Sequence, residues 1–471
     1  MPSIPAVSRE RSTGARNSVI LLILAASLAA QQPPATSGQQ APAGETQEAT
    51  RQPEYAGPAI SSRGVGSIFR QPWRPLRFRP FLAINGSYDS GITGVLLTAD
   101  GQPPDDSSIG GDITAGITGY QTWKRTLLSL AYSGSYQHYA RHTYYNGSEQ
   151  SLALTLARQA TRRVTFTMRE AAGIYSRRFG FFDGYGYLDP AFTNVPRDEL
   201  FDGRTMYLNT LGDLTYQKSA RLSFNIAGDG FLVRRRSGAL FGVTGYRARA
   251  DVAYRVSRFS TTGVAYDYSH FEFTKAFGGS DIQTVGLVQS MRLSRWWELS
   301  MRLGAARVET LGIARVAIDP VIAAILGQSY GVEAVYRINY MPNGNIQLTR
   351  GFRSASLTLH YQHGVSPGNG LYLTSRMVTG GAGFSYSGLR NWAVSVSGDY
   401  SSYSSLAQNI GNYESKAGGV HASRRLGAGL HLTTRAEIRD FAVAGTKFAR
   451  TMYRLGVGFA YSPGDVPLSI W

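Results

Sequence analysis

Arginine and aspartate alternate with apolar residues along a short stretch that is suited to binding charged solutes. Residues 246–255 read YRARADVAYR, in which every second residue is apolar or small. In an extended chain the side chains of residues i and i+2 share a face, so Arg247, Arg249, Asp251 and Arg255 lie together on one side of a β-strand. Guanidinium groups along the wall of a pore attract anions and small polar solutes.

The same alternation of every second residue places further charged residues on one side of other predicted strands. An arginine that faces lipid at the middle of a bilayer costs about 2–4 kcal/mol, so these side chains are expected inside a barrel. The predicted solute-binding arginines of the lumen are Arg169, Arg247, Arg249, Arg255, Arg292, Arg302, Arg435, Arg439 and Arg454. The predicted inward acids and histidines are Asp213, Asp229, Asp251, Asp267, Asp399, Glu437, His360 and His431. Two interpretations stay open: a basic wall that favours anions, or charges that pair and hold the lumen in shape.

The last strand, residues 451–461, shows what kind of element positions these side chains. Its sequence TMYRLGVGFAY has one face with aliphatic residues between aromatic ends, and a second face with small residues and Arg454. Two such different faces are typical of a membrane strand between lipid and lumen, with aromatic residues at the two interfaces. The same alternation recurs along the chain in runs long enough to cross a bilayer when tilted.

Short turns that carry Lys or Arg recur at about the spacing of one membrane hairpin, with longer Gly-, Asp- and Tyr-rich segments between them. These turns lie at Lys124–Arg125, Arg162–Arg163, Lys218–Arg221, Arg258, Arg295, Arg353, Arg390 and Arg424–Arg425. Together with a lone first and a lone last strand, they predict an all-β fold: a transmembrane antiparallel up-and-down β-barrel of about 18 strands, with 16 as the alternative count. The short turns are expected to be periplasmic and the long loops extracellular.

Composition supports this class and excludes others. The chain has 471 residues, no cysteine, and only 17% charged residues, below the roughly 25% of ordinary soluble domains. Twelve of its lysines and arginines lie in the predicted short turns and account for most of the net charge of +17. Because they are spread singly over the turns, nucleic-acid binding is not indicated, and anionic lipid headgroups are the expected partners.

The N-terminus has the layout of an exported protein. Arg9, Arg11 and Arg16 precede the apolar run VILLILAASL at residues 19–28, and small residues follow. Residues 1–30 are therefore predicted to be a signal peptide, and residues 31–77, rich in Pro, Gln and Ala, a disordered periplasmic leader. The barrel is predicted over residues 78–463, with a C-terminal tail at residues 464–471.

Two outer segments are long enough to fold into the lumen, although an ordinary surface loop is an equally good interpretation. The first, residues 175–204, is dense in aromatic residues. Its predicted constriction residues are Arg178, Phe179, Phe181, Phe182, Tyr185 and Tyr187. The second is residues 308–345, where Asp319, Pro320 and Gly327 have the types and spacing of a short helix with its caps.

Catalysis is not predicted. His421 and Ser423 share a strand face, but neighbouring side chains of one face point in parallel, and no acid is identified that would orient the imidazole. There is no HExxH motif, phosphate-binding loop or metal-ligand cluster. No cofactor and no metal site are therefore expected.

Two segments carry a family resemblance. GVSPGNGLYLTS at residues 364–375 and SPGDVPLSIW at residues 462–471 resemble a family of uncharacterised Gram-negative outer-membrane β-barrel proteins of porin-like layout. The resemblance implies a place in the outer membrane, among lipid and lipopolysaccharide, and insertion by the barrel-assembly machinery. The chain departs from the usual assembly signal, because Pro463 and Pro467 interrupt the run before the terminal Trp471.

A channel for small polar or anionic solutes through an Arg-containing lumen is the predicted function. Two alternatives stay open: an export conduit for a surface polysaccharide, and a non-conducting structural or adhesive barrel.

Overall fold

A closed antiparallel sheet makes up the part of the chain that the structure describes. The structure is a computed structural model, and it describes residues 78–91, 107–141, 146–175, 204–317, 330–406, 411–427, 429–446 and 448–462. Each of the 18 strands pairs with the next, and β1 also pairs with β18, from Leu82↔Tyr461 to Asp89↔Arg454. The predicted all-β barrel of 18 strands is therefore confirmed. The predicted signal peptide, leader and tail lie outside the described residues.

Short turns join the strands at one end of the barrel, the turn end, and longer connections join most of them at the other, the outer mouth. No helix in the described ranges is long and apolar enough to cross a membrane. The strands are β1 (Arg79–Asp89), β2 (Ser108–Trp123), β3 (Thr126–Tyr139), β4 (Gly147–Gln159), β5 (Val164–Tyr175), β6 (Thr205–Gln217), β7 (Leu222–Arg235), β8 (Gly242–Arg255), β9 (Ser260–Thr274), β10 (Gly279–Arg292), β11 (Trp297–Ala317), β12 (Tyr330–Gly351), β13 (Ala355–Ser366), β14 (Ser375–Tyr386), β15 (Trp392–Ser405), β16 (Tyr413–Arg425), β17 (Leu430–Val443) and β18 (Ala449–Tyr461).

The two faces of each strand meet different surroundings, as β18 shows. Leu455, Val457 and Phe459 point outward and are each more than half exposed, whereas Arg454 and Ala460 point inward and are buried. Because a closed sheet leaves no unpaired edge, such an apolar outer band can face lipid without orphaned backbone groups. This architecture is that of bacterial outer-membrane proteins and places the chain in the outer membrane of a Gram-negative bacterium.

Arginines stack on aromatic rings at the turn end. The guanidinium carbon of Arg258 lies 4.7 Å from the ring centre of Phe259, and that of Arg424 lies 5.5 Å from the ring of Trp392. Rings of this kind sit at a membrane interface with one side apolar and one side wet, and a cation over the ring adds an electrostatic attraction. The turn end therefore has the aromatic and cationic side chains that are typical of a membrane interface.

The hairpin of β11 and β12 corrects one expectation from the sequence. Residues 308–345 were expected to form a long outer loop, but the two strands pair continuously from Trp297↔Arg350 to Ala317↔Tyr330. Outward apolar residues such as Leu311 and Tyr336 continue the alternation, so residues 308–317 and 330–345 extend the barrel wall. The predicted short helix at residues 319–327 lies outside the described residues.

Apolar side chains gather inside the outer mouth in two clusters. One cluster lies on the wall of β5 to β11 and includes Tyr207, Phe231 and Phe271. The other includes Tyr413 and Phe441 from β16 and β17. Side chains on a lumen wall become this buried only when something covers them, and the connection between β13 and β14 contributes to both clusters.

Candidate functional site

Three arginines and three aspartates form a paired patch on the inner face of β7–β11, here called the charged wall. Its members are Asp229, Arg247, Arg249, Asp251, Asp267 and Arg302. Arg247 stands opposite Asp229 in the strand register, with Nε 2.6 Å from Oδ1. Arg249 Nε lies 3.2 Å from Asp251 Oδ1 and 3.7 Å from Asp267 Oδ1, and Asp267 also pairs with Arg302. The charges balance within this patch, so its contacts fit the paired interpretation better than a basic wall.

A second group of charges lies where the barrel closes, on β16–β18 and β1, here called the closing seam. Glu437, Arg454 and Asp89 stand side by side in register on three neighbouring strands. Arg454 Nε donates to Asp89 Oδ1 at 2.7 Å, and His421 Nε2 lies 3.1 Å from Glu437 Oε1. All four side chains are buried, so these contacts join the first and last strands with little competition from water.

Arg435 differs from the other charges of the seam in the longer distance to its carboxylate partner. Its Nη2 lies 3.8 Å from Asp112 Oδ1, which is too far for a hydrogen bond. The other oxygen of Asp112 accepts from Asn85 Nδ2 at 2.8 Å and from Thr114 Oγ1 at 3.0 Å. Neutral donors therefore hold Asp112 in place, and the guanidinium of Arg435 keeps donors for water or a solute.

The remaining arginines predicted for the lumen are scattered along it. Arg439 is buried near the outer mouth and donates to Tyr413 Oη at 2.7 Å and to Ser415 Oγ at 3.2 Å. Arg169 lies on the inner face of β5, opposite Leu211. Two others lie at the turn end, namely Arg255, the last residue of β8, and Arg292, which pairs with Glu298 at 3.3 Å.

The barrel therefore does not gather the predicted arginines into one patch. The charged wall begins on β7, and the closing seam ends on β1. Because β8 and β17 are separated by nine steps in an 18-stranded sheet, the two groups lie on opposite sides of the lumen. His360 and Asp399, also inward, approach to 3.5 Å on the wall between them.

His421 and Ser423 do not form a catalytic dyad. The structure does place an acid beside the imidazole of His421, namely Glu437, which the sequence did not identify. Ser423 Oγ, however, is buried and has no hydrogen-bond partner, so the imidazole does not activate this hydroxyl. Within the described ranges, no group of three His, Asp or Glu side chains is arranged to hold a metal ion.

A connection that the sequence analysis did not assign to the lumen enters the outer mouth. Residues 367–374, here called the inner loop, join β13 to β14, and Asn369, Tyr372 and Thr374 in it are almost fully buried. Its turn depends on Gly368 and Gly370, whose φ angles of 86° and 95° are strained for other residues. The predicted constriction residues between 178 and 187 lie outside the described residues.

The inner loop is tied to walls far apart in the barrel. Gly370 O accepts from the backbone N–H of Phe241, in the connection between β7 and β8, at 2.9 Å. Thr374 Oγ1 lies 2.6 Å from the hydroxyl of Ser280 on β10. On the other side, Tyr372 donates its hydroxyl to Gly411 O, and burial raises the pKa of Tyr372 to about 12, so it stays a neutral donor at physiological pH. The loop thus crosses part of the outer mouth.

Comparison with solved structures finds other outer-membrane proteins at low identity. Pseudomonas aeruginosa OccK2 (OpdF) is 12% identical, with a TM-score of 0.41 over 83% of this chain and 99% of its own. OccK5 (OpdH) of the same organism is 13% identical, with a TM-score of 0.41 over 82% of this chain and 98% of its own. OpdK, solved with vanillate, is 12% identical, with a TM-score of 0.39 over 83% of this chain and 100% of its own. No family model matches the sequence, and no curated protein matches it.

Proposed function

We propose that the chain is an outer-membrane channel for small polar or anionic solutes, with the barrel lumen as the pathway. The observation that carries this proposal is a closed barrel of 18 strands whose inner face bears charges at mid-height on opposite sides. Barrels of 16–18 strands are wide enough to enclose an aqueous channel. Arg247 is partly exposed on this wall, and its ion pair compensates the buried charge of Asp229.

The solutes expected to pass are those that exchange hydrogen bonds with both signs of charge. The charged wall offers guanidinium donors and carboxylate acceptors within a few ångströms of one another. Across the lumen, Arg435 offers donors that are not hydrogen-bonded to a carboxylate, since Asp112 lies 3.8 Å away. A neutral polyol finds partners on both walls, and a small anion finds one on the seam side. The proposed preference for anions therefore depends on Arg435 more than on the charged wall.

One observation favours a second function, that of a barrel closed at its outer mouth. The inner loop is buried and bonded to distant strands, and its Leu373 packs into the apolar cluster on the β5–β11 wall. A loop held on two sides narrows the pathway, and a loop that never moves would leave a structural or adhesive barrel.

Solute entry into liposomes separates these two functions. Protein reconstituted in phospholipid vesicles should admit arabinose and gluconate faster than vesicles without protein or with boiled protein. A chain that migrates as a folded barrel on an unheated gel, yet admits neither solute, would contradict the channel and favour the closed barrel. Entry of arabinose without gluconate would contradict the anion preference alone.

A further inference from the structure

A recess on the inner wall of the closing seam has the features of a binding site. It is lined by inward side chains of three strands: Asn85 of β1, His421 and Ser423 of β16, and Thr433 and Arg435 of β17. The recess has room for about two water molecules. A solute in the lumen would insert only its polar end here, not its whole body.

An unsatisfied hydroxyl lies in this recess. Ser423 is 3% exposed, and its Oγ has no hydrogen-bond partner among the residues described. Thr433 stands opposite Ser423 in the register and donates its hydroxyl to Gly458 O at 3.2 Å, so it does not donate to Ser423. Ser395, which stands opposite His421, has a second unsatisfied buried hydroxyl. Buried hydroxyls without partners are uncommon and point to a water or a ligand that would complete them.

Arg435 supplies the positive charge of the recess, and its carboxylate partner lies farther away than the partners of the other charged side chains of the seam. Asp89 is bound to Arg454, and Glu437 to His421, at hydrogen-bond distance. Asp112 stays 3.8 Å from Arg435 while neutral donors hold its second oxygen. A carboxylate that enters the recess can therefore accept the guanidinium hydrogen bonds that Asp112, at 3.8 Å, does not accept.

Two glycines on the inner face of β18 shape the recess. A Cβ at Gly456 would lie 2.6 Å from Arg435 Nε, and a Cβ at Gly458 would overlap the amide of Asn85. Neither glycine has a φ in the left-handed region, so backbone strain does not explain them. The small residues give the guanidinium and the amide room to lie flat against the wall.

We propose that this recess, here called the seam site, binds the carboxylate of a small hydroxylated acid. Arg435 receives the carboxylate in a charge-assisted hydrogen bond, and Ser423 bonds the neighbouring hydroxyl. The inference rests on the proposed channel for its biological use, since the solute would reach the seam site through the lumen. Binding itself does not require conduction.

Ligand-detected NMR on the folded protein in detergent micelles tests the seam site directly. Glycolate, acetate and ethylene glycol are titrated separately, and saturation transfer from the protein reports binding. Glycolate should bind saturably, acetate more weakly, and ethylene glycol not measurably, because it lacks the carboxylate. Arg435→Gln should weaken glycolate and acetate by about tenfold or more, since a hydrogen bond to a charged group is lost. Ser423→Ala should weaken glycolate but leave acetate unchanged.

Arg258→Gln, in an exposed turn, is the matched control and should bind glycolate like the wild type. Migration of each variant as a folded barrel on an unheated gel shows that assembly is intact. Absence of saturable glycolate binding, equal binding by Arg435→Gln and the wild type, or equal binding of ethylene glycol would overturn the seam site. Conductance recorded separately keeps the two proposals apart: a conducting protein without glycolate binding loses only the seam site, and a silent protein that binds glycolate loses only the channel.

Discussion

The ion pair between Arg454 and Asp89 holds the first and last strands together, and removing either partner should destabilise the barrel. The two residues are 365 positions apart in the chain, and Nε lies 2.7 Å from Oδ1. Their side chains are 6% and 0% exposed. At this distance the gross Coulomb attraction is roughly 6 kcal/mol for an effective dielectric constant near 20. Desolvation offsets much of it, so the net cost of breaking the pair is about 3–5 kcal/mol.

A double-mutant cycle measures this coupling. Asp89→Asn, Arg454→Met and the double variant are unfolded by urea from phospholipid vesicles, and the free energy of unfolding is compared with that of the wild type. Each single variant should lose about 3–5 kcal/mol, because the remaining buried charge loses its hydrogen-bonded ion-pair partner. The double variant should lose less than the sum of the two, with a coupling of about 2–3 kcal/mol.

The pair Arg292–Glu298 at the turn end provides the matched control. Its closest atoms are 3.3 Å apart, but its side chains are 57% and 42% exposed. Water screens such a pair, so the same cycle there should give about 0–1 kcal/mol. Equal couplings at both sites, or additive losses at the closing seam, would refute the view that a buried ion pair secures the closure.

Three further predictions concern the outer face and the seam site. Glu170 points outward near the middle of β5 and accepts a hydrogen bond from Thr210 Oγ1 at 2.8 Å. Glu170→Leu should raise the free energy of unfolding by about 1–2 kcal/mol because it removes a carboxylate from the lipid-facing side; a loss would show that the bond to Thr210 outweighs this cost. Leu455→Arg, which places a charge on lipid, should lower the same quantity by about 2–4 kcal/mol, and an unchanged value would contradict the assignment of the outer face. Gly456→Ala should displace Arg435 and weaken glycolate in NMR titrations, whereas unaltered binding would show that the guanidinium does not need this space.

The membrane strands could be predicted because their signal is local. In β8 and β18, lipid on one side and lumen on the other impose a period of two, so parity alone assigns Arg247 or Arg454 to the inner face. The count of 18 followed from short turns that recur at hairpin spacing. Neither the facing of the side chains nor the number of strands depends on which residues of neighbouring strands stand opposite each other.

The ion pairs could not be predicted, because they depend on register. Parity places Arg247 and Asp229 on one face, but only the pairing of β7 with β8 puts them side by side. For Arg454 and Asp89 the partners come from opposite ends of the barrel sequence and meet only on closure. A count of inward arginines fits a basic wall and a paired wall equally well, whereas the contacts place each arginine of the charged wall beside an aspartate.

The inner loop was missed for a different reason. Length and aromatic content single out residues 175–204 in the sequence, whereas the inner loop is short. One signal was available: Leu371, Tyr372 and Leu373 are three apolar residues inside a supposed surface loop, preceded by Gly368 and Gly370. Exposed apolar runs in a turn are costly, so this run indicated burial. The opposite error occurred in β11 and β12, where the sequence predicted a loop over residues 308–345 but residues 308–317 and 330–345 lie in paired strands.

Single-channel recording in planar bilayers tests the central claim, a water-filled pathway through the barrel, most directly. Folded wild-type protein should insert and give discrete conductance steps. A variant with Tyr372→Ser and Leu373→Gly, which frees the inner loop from its contacts, should give larger steps. Silence from both proteins, each shown to be folded by its migration on an unheated gel, would contradict the channel.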